Sequence, residues 1–446
     1  MRDSVDRRRF LAAVTATGAA MTVNSAPASA AEAAPALLGG EPVRKASWPG
    51  WPRVNASDEA AVSGVLKSGQ WFRGGGEQVD HFESAYAAMM GAKHCVAVAN
   101  GTSALYSSIA ALGVGPGDEV IVPPYTFIAT VNAVLLQYAL PIFVDTDPET
   151  FQIDARKVEA AITDRTTAIL PVHLGGNVAD LDTILAVAGK HKLPVIEDAC
   201  QSHLAEWKGR KVGTWGSTGC FSFQVTKNLP SGEGGAILTG DAELAERCYA
   251  FQNNSRGRTT SGYNFAYLGG RGANLRMTEF QGALLQSQMT RIEANQRTRE
   301  ENAKYLTGQL KEIPGISPAR AYEGCTRNAY HLYMFRYDSA AFEGLPRVKF
   351  LAALNAEGIP CMSGYGQLNK QGFLHAALTS KGFQRIYPKA VLDGWAERTR
   401  CPANDRLCEE AVWFTQTMFL GPRSDMDQIA DAVRKVRKNA GRLAKA

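Results

Sequence analysis

The stretch Cys95-Val96-Ala97-Val98-Ala99-Asn100-Gly101-Thr102-Ser103-Ala104-Leu105 decides the fold class. Its apolar half is short and unbroken, without the alternation of a half-exposed strand. That pattern predicts a strand covered on both faces. Asn-Gly then turns the chain into a helical pattern, as a strand-to-helix crossover requires. The unit recurs downstream. Strands are expected over residues 95–99, 119–122, 142–144, 168–171, 195–197, 220–223 and 236–239. Helices are expected over 103–112, 128–137, 155–162 and 181–191. This predicts an α/β fold whose large domain carries a mostly parallel seven-stranded sheet flanked by helices. Ligands of such sheets sit at the carboxyl ends of the strands.

Further along, a helical stretch over 277–304, rich in Gln, Arg and Glu, reads as a connector. A strand over 331–337, a helix over 349–357 and a basic final helix then predict a smaller α+β domain. The expected boundaries are 31–285 for the large domain with its N-terminal arm and 286–446 for the small one.

With 446 residues and 45% hydrophobic content the chain can fill two cores. Its net charge of +5 includes two charges from the first thirty residues, where Arg2, Arg7, Arg8 and Arg9 face Asp3 and Asp6. The remainder is near neutral and makes no electrostatic case for nucleic acid. The basic run Arg434, Lys435, Arg437, Lys438, Arg442 and Lys445 follows Ile429, Ala432, Val433 and Val436 at helical spacing. It reads as the solvated face of a last helix, with cations near its carboxyl end. Eight cysteines show no Cys-x-x-Cys pair, and no metal ligand set is expected. Free thiols are expected, with Cys401 and Cys408 the nearest pair for a bridge after export.

Residues 1–30 read as a signal peptide. Arg7-Arg8-Arg9-Phe10-Leu11 fits the twin-arginine core, an Ala-rich stretch follows, and Ala28-Ser29-Ala30 is a small-residue cleavage site. The stretch is too short to span a membrane. The expectation is export in folded form, to the periplasm or beyond, and a cytoplasmic protein if the signal is not used.

Four motifs carry chemistry. Phe221-Ser222-Phe223-Gln224-Val225-Thr226-Lys227-Asn228-Leu229 places a lysine where an apolar strand enters a Gly-rich turn, Gly232-Glu233-Gly234-Gly235. An amine there is desolvated enough to act as a nucleophile. Val195-Ile196-Glu197-Asp198-Ala199-Cys200-Gln201 ends an apolar strand on a carboxylate. Such a group caps the next element or pairs with a cation. Asn100-Gly101-Thr102 opens a helix whose N–H groups suit a phosphate. Pro123-Pro124-Tyr125-Thr126-Phe127 offers an aromatic ring in a post-strand loop. Dinucleotide, Walker A and His-Glu-x-x-His patterns do not occur.

In this order the motifs resemble the DegT/DnrJ-type family of pyridoxal-phosphate (PLP) sugar aminotransferases, of the aspartate aminotransferase fold. The resemblance runs from about residue 45 to the C-terminus and includes Gly272-Ala273-Asn274-Leu275-Arg276-Met277, with Glu279-Phe280-Gln281, and Tyr330-His331-Leu332. It implies that Lys227 is the Schiff-base lysine and proton shuttle, and that Asp198 pairs with the pyridine nitrogen. Gln201 would contact the ring hydroxyl, Gly101, Thr102 and Ser222 would hold the phosphate, and Phe127 would stack on the ring. Asn274 would reach the neighbouring subunit's phosphate in a homodimer with shared sites. Tyr330 and His331 would face the substrate.

The implied reaction is ping-pong transfer of an amino group from L-glutamine or L-glutamate to a keto sugar or keto cyclitol. Trp48-Pro49, Trp51-Pro52, Gly69-Gln70-Trp71 and Cys401-Pro402 with Trp413 look closer to the cyclitol and aminohydroxybenzoate branch. Leu204 departs from the family, which has Gly there. Two rivals are a non-catalytic PLP-binding sensor on the same fold and an α/β oxidoreductase, the latter lacking its fingerprint.

Overall fold

The computed structural model describes residues 34–258, 267–268 and 270–446. The signal sequence read over residues 1–30 lies outside them.

The large sheet is built from β1 (His94–Val98), β2 (Glu119–Val122), β3 (Leu140–Phe143), β4 (Thr166–Ile169), β5 (Ile196–Asp198), β6 (Thr218–Ser222) and β7 (Gly235–Thr239). Three strands pair in the order β3-β2-β4 and four in the order β5-β6-β7-β1. Parallel bridges at Ile169–Val195 and Val172–Asp198 join the two parts between β4 and β5. All neighbours run parallel except β7, which is antiparallel to both β6 and β1. Every strand falls within two residues of its expected place, because each is an apolar run that only a two-sided burial satisfies.

Crossover helices include α1 (Gly101–Ala111), α2 (Ile128–Leu135) and α3 (Leu181–His191). The Asn100 side chain caps α1 by accepting from Ser103 N at 2.8 Å, and Asp180 caps α3 in the same way. The helix expected over 155–162 is instead two 3-10 turns, Ala155–Lys157 and Glu159–Ala161. Eight residues hardly repay helix nucleation. Asp154 also draws in both the amide and the guanidinium of Arg156, which tightens the first turn.

Helix α4 (Glu279–Leu310), 32 residues long, joins two cores. Its Leu285 and Ile292 pack with Phe82, Tyr86, Phe221 and Phe223. Its Ala303, Leu306 and Leu310 pack under a second, antiparallel sheet of β8 (Ile316–Pro318), β9 (Leu332–Tyr337) and β10 (Ala411–Thr415). Gln288, Gln296, Arg299 and Asn302 are buried along its middle. A stretch that reads only as a connector is therefore covered on several sides. Between β9 and β10 lies α5 (Arg347–Ala356). The chain then returns to the large sheet, where Leu374, Phe383 and Trp395 pack with Val120, Ile142 and Phe143. Arg398 clamps the buried Glu119 of β2 with two bonds of 2.9 and 2.8 Å.

The last long helix, α6 (Arg423–Lys438), buries Ile429, Ala432, Val433 and Val436 as its spacing predicts. Lys435 corrects the solvated-face reading. It is buried and donates to Glu357 Oε2 at 2.9 Å. The same Glu357 carboxylate accepts from Ala36 N at 2.8 Å and Val43 N at 2.9 Å, so the arm is pinned to the small domain. Cys401 and Cys408 are free, buried thiols rather than a bridged pair. Among the described residues no helix is long and apolar enough to cross a membrane.

Candidate active site

The strand ends of β5 and β6, the start of α1 and the start of α2 converge on one place. Asp198, the last residue of β5, is buried. Its Oδ2 accepts from Thr130 Oγ1 of α2 at 2.8 Å, and its Oδ1 accepts from Cys200 N at 3.2 Å. Thr130 donates its only hydroxyl proton to Asp198, so the 2.9 Å contact with Thr126 is a donation from Thr126. The carboxylate is thus aimed and only partly satisfied, with lone pairs left for another donor.

Lys227 sits in the loop after β6. Its amide donates to Gln224 O at 2.8 Å, and Val225 N donates to Gly232 O at 2.9 Å, which folds the turn back on itself. Asn228 Nδ2 ties the loop to Ala329 O at 2.8 Å, and Trp51 Nε1 donates to Val225 O at 2.9 Å. The side chain is largely enclosed. Desolvation pushes its amine below the usual lysine range, and the negative potentials of Cys200 and Asp198 only partly offset that. The lysine and the carboxylate are therefore close enough to act on each other electrostatically.

Gly101 shows how closely α1 approaches β6. A Cβ there would lie 2.7 Å from Ser222 Cβ and 2.8 Å from Cys200 Sγ. The helix start with Thr102 thus lies against the Ser222 hydroxyl, a concave arrangement of N–H donors. Gln201 is held from both sides. Its Oε1 accepts from Gly175 N at 2.7 Å and its Nε2 donates to Tyr365 OH at 3.1 Å. Phe127 stands just before α2 and is half exposed, while its neighbour Tyr125 is buried in an aromatic cluster with Phe151 and Trp413.

His203 lies beneath. Its Nε2 meets the carbonyl of Ser222 at 2.8 Å, an acceptor only, so this nitrogen carries the proton. Nδ1 then accepts from Tyr86 OH at 3.0 Å. Burial pushes the imidazole down to about 4. Leu204, at the family's glycine position, adopts φ 64°. The backbone keeps the left-handed turn that favours glycine, and the leucine bears the strain. On the far side of the lysine, His331 Nδ1 faces Asn228 Oδ1 at 3.3 Å. Burial, with Lys227 close by, holds its imidazole well below the usual range. Tyr330, also with positive φ, stacks on Tyr333, and burial raises its hydroxyl to about 12.

The structure thus gathers Lys227, Asp198, Gly101, Thr102, Ser222, Gln201 and His331 around one space. Asn274 stands apart, exposed in a loop bridged to Asn253. Sequence reasoning missed Thr130, Cys200 and Tyr365. The last lies between Gly364 and Gly366, an aromatic in a Gly-flanked loop, which was the available signal. Among the described residues no cluster of His, Cys, Asp and Glu could hold a metal ion.

A parallel-sheet core with an enclosed lysine facing a strand-end carboxylate, plus a small antiparallel lobe, defines the class of fold type I aminotransferases. The chain belongs to the DegT/DnrJ/EryC1/StrS aminotransferase family, which it matches over residues 52–386. It is 37% identical over 430 residues to an L-glutamine:2-deoxy-scyllo-inosose aminotransferase of Streptoalloteichus tenebrarius, covering 92% of this chain and 98% of that one. A protein of the same description from Streptomyces fradiae is 37% identical over 428 residues, covering 92% and 99%. Among solved structures, 3-amino-5-hydroxybenzoic acid synthase superposes with a TM-score of 0.78 at 31% identity, over 88% of this chain and 98% of that one. An aminotransferase from Psychrobacter cryohalolentis gives 0.77 at 31% identity, over 89% and 100%. The chain is an aminotransferase.

Proposed function

We propose that this enzyme moves an amino group from L-glutamine to a keto cyclitol of the scyllo-inosose kind, with PLP held at Lys227. The observation that carries this reading is a pair close enough to act on each other electrostatically: the Lys227 amine, lowered by burial, and the half-satisfied Asp198 carboxylate.

The residues present fit the cofactor. The close approach of Gly101 to Ser222 brings the α1 start, Thr102 and the Ser222 hydroxyl together, donors that would hold a phosphate. Asp198 has lone pairs free for a ring N–H, Gln201 would meet the ring hydroxyl, and the Phe127 ring would lie on the ring. When bound, PLP supplies an electron sink that stabilises charge on the carbon losing its proton. Lys227 would carry that proton between the substrate carbon and the cofactor, a general acid–base step worth about 10²–10⁴-fold. Asp198, buried at the end of β5, would pair through its free lone pairs with the cationic ring nitrogen. The reaction runs in two halves: L-glutamine leaves as its keto acid, then the cyclitol takes the amine. Asn274, exposed and outside this cluster, is the residue offered to a second copy in a homodimer. Export through a twin-arginine signal at residues 1–30 belongs to the same reading.

The test is a half-reaction with purified protein: absorbance of the bound cofactor on adding L-glutamine, and its reversal by keto-inosose. Both changes, with keto acid formed steadily when both substrates are present, are the expected result. Lys227→Ala should lose turnover by more than about 10³-fold and should show no borohydride-fixed cofactor mass on the chain. Cofactor binding without turnover from any donor turns the reading towards a sensor.

A further inference from the structure

Midway along α4 lies a buried cation that meets no anion among the described residues. This residue, Arg299, is fully buried. Its Nε donates to Gln416 Oε1 at 2.8 Å, while Nη1 and Nη2 have no hydrogen-bond partner. Gln416 Nε2 has none either. The Trp51 ring centre lies 5.4 Å from the guanidinium carbon. The charged group acting on Arg299 is Arg53, a second cation. Together with burial it brings the guanidinium down to about 9, so the group still carries its charge at neutral pH. A buried charge with unused donors is costly unless an anion or a polar ligand meets it.

This surplus of donors borders the lysine loop on both sides. Trp51, which covers the guanidinium, is partly exposed and bonds through its indole to Val225 O, two residues before Lys227. Gln416 donates its backbone N–H to His331 O, and His331 meets Asn228, the residue after Lys227. Arg299 and Lys227 both bear electrostatically on His203 and His331. The planar fork of a guanidinium with two free Nη groups matches a carboxylate in a bidentate pair. The Gln416 amide adds further N–H donors beside it. A keto cyclitol has no carboxylate, but an amino-acid donor always has one next to its amine.

We propose that Arg299, with Gln416 Nε2, binds the carboxylate of the amino donor, reached past the Trp51 ring, and so selects amino acids over other amines. This rests on the amino-transfer reading above and assigns the donor's place within it.

The probes are 4-carbamoylbutanoate, which is glutamine without its amine, and pentanediamide, the same skeleton without a carboxylate. Calorimetry on the PLP-loaded enzyme should show the first binding and the second at least tenfold weaker. Arg299→Gln should lose the first probe by tenfold or more and raise half-saturation for L-glutamine by as much. The keto-cyclitol half-reaction should be unchanged. Because Arg299→Gln removes a buried group, Arg299→Lys is made alongside it. It keeps the charge but loses the fork, and should weaken 4-carbamoylbutanoate several-fold with an unaltered cofactor spectrum. Equal binding of the two probes overturns the proposal, as does unchanged glutamine half-saturation in a folded variant, or an equal loss in both half-reactions. If L-glutamine never changes the cofactor spectrum while 4-carbamoylbutanoate still binds through Arg299, the carboxylate site stands and the glutamine reading fails.

Discussion

At the scale of single residues, the site depends on groups whose protons are fixed by burial. Asp198 keeps two protein donors and free lone pairs, so Asp198→Asn should leave the fold intact and lower kcat by about 10²–10³-fold, the range for losing one preorganised electrostatic contact. Steady-state rates with the circular dichroism spectrum as control check this. His203 gives a pH signature. Its imidazole is held down to about 4 in the folded chain, against about 6.5 when unfolded. The folded state therefore binds fewer protons between those values. The stability that follows, of order 3 kcal/mol, is complete above about pH 6.5 and is lost as pH falls towards 4. Denaturant midpoints at pH 7 and 4.5 should differ less in His203→Asn than in the parent chain. Lys227 and Asp198 could be read from the sequence because one follows and the other ends an apolar strand, whereas Gln201 came from the family resemblance alone. Arg299 could not, since it sits among Gln, Glu and Asn on a helix that reads only as a connector. Only the fold shows that the Trp51 arm and Gln416 enclose it.

At the scale of elements, the approach of α1 to β6 sets the width of the proposed phosphate cleft. Gly101→Ala would force a methyl group to 2.7 Å from Ser222 Cβ. Overpacking of this kind costs about 1–3 kcal/mol and moves the helix start outward. Equilibrium dialysis should show PLP binding at least about tenfold weaker, with the unfolding midpoint little lowered. Unaltered affinity would show that the cradle lies elsewhere. The strands were legible because short continuous apolar runs bounded by turns have few other uses than two-sided burial. The 155–162 segment was misread because eight amphipathic residues satisfy a helical pattern without the length to sustain one. Its Asp154 cap favours a tighter turn.

At the scale of the whole molecule, sequence position and spatial position diverge. The chain after β9 returns to the large sheet before completing the small one, because Trp395 and Arg398 find partners at Pro141 and Glu119. No local pattern announces contacts between residues so far apart in sequence. The same holds for the N-terminal arm. Lys435, taken for a surface cation, is the inner partner of Glu357, whose carboxylate also holds the amides of Ala36 and Val43. A chain begun at residue 45 should unfold at a measurably lower temperature, since the buried carboxylate loses two donors at about 1–3 kcal/mol in all. The knot at Glu357 thus limits any trimming of the N-terminal arm: a cut beyond Ala36 frees one carboxylate oxygen, and a cut beyond Val43 begins to unpick the rear wall of the C-terminal lobe.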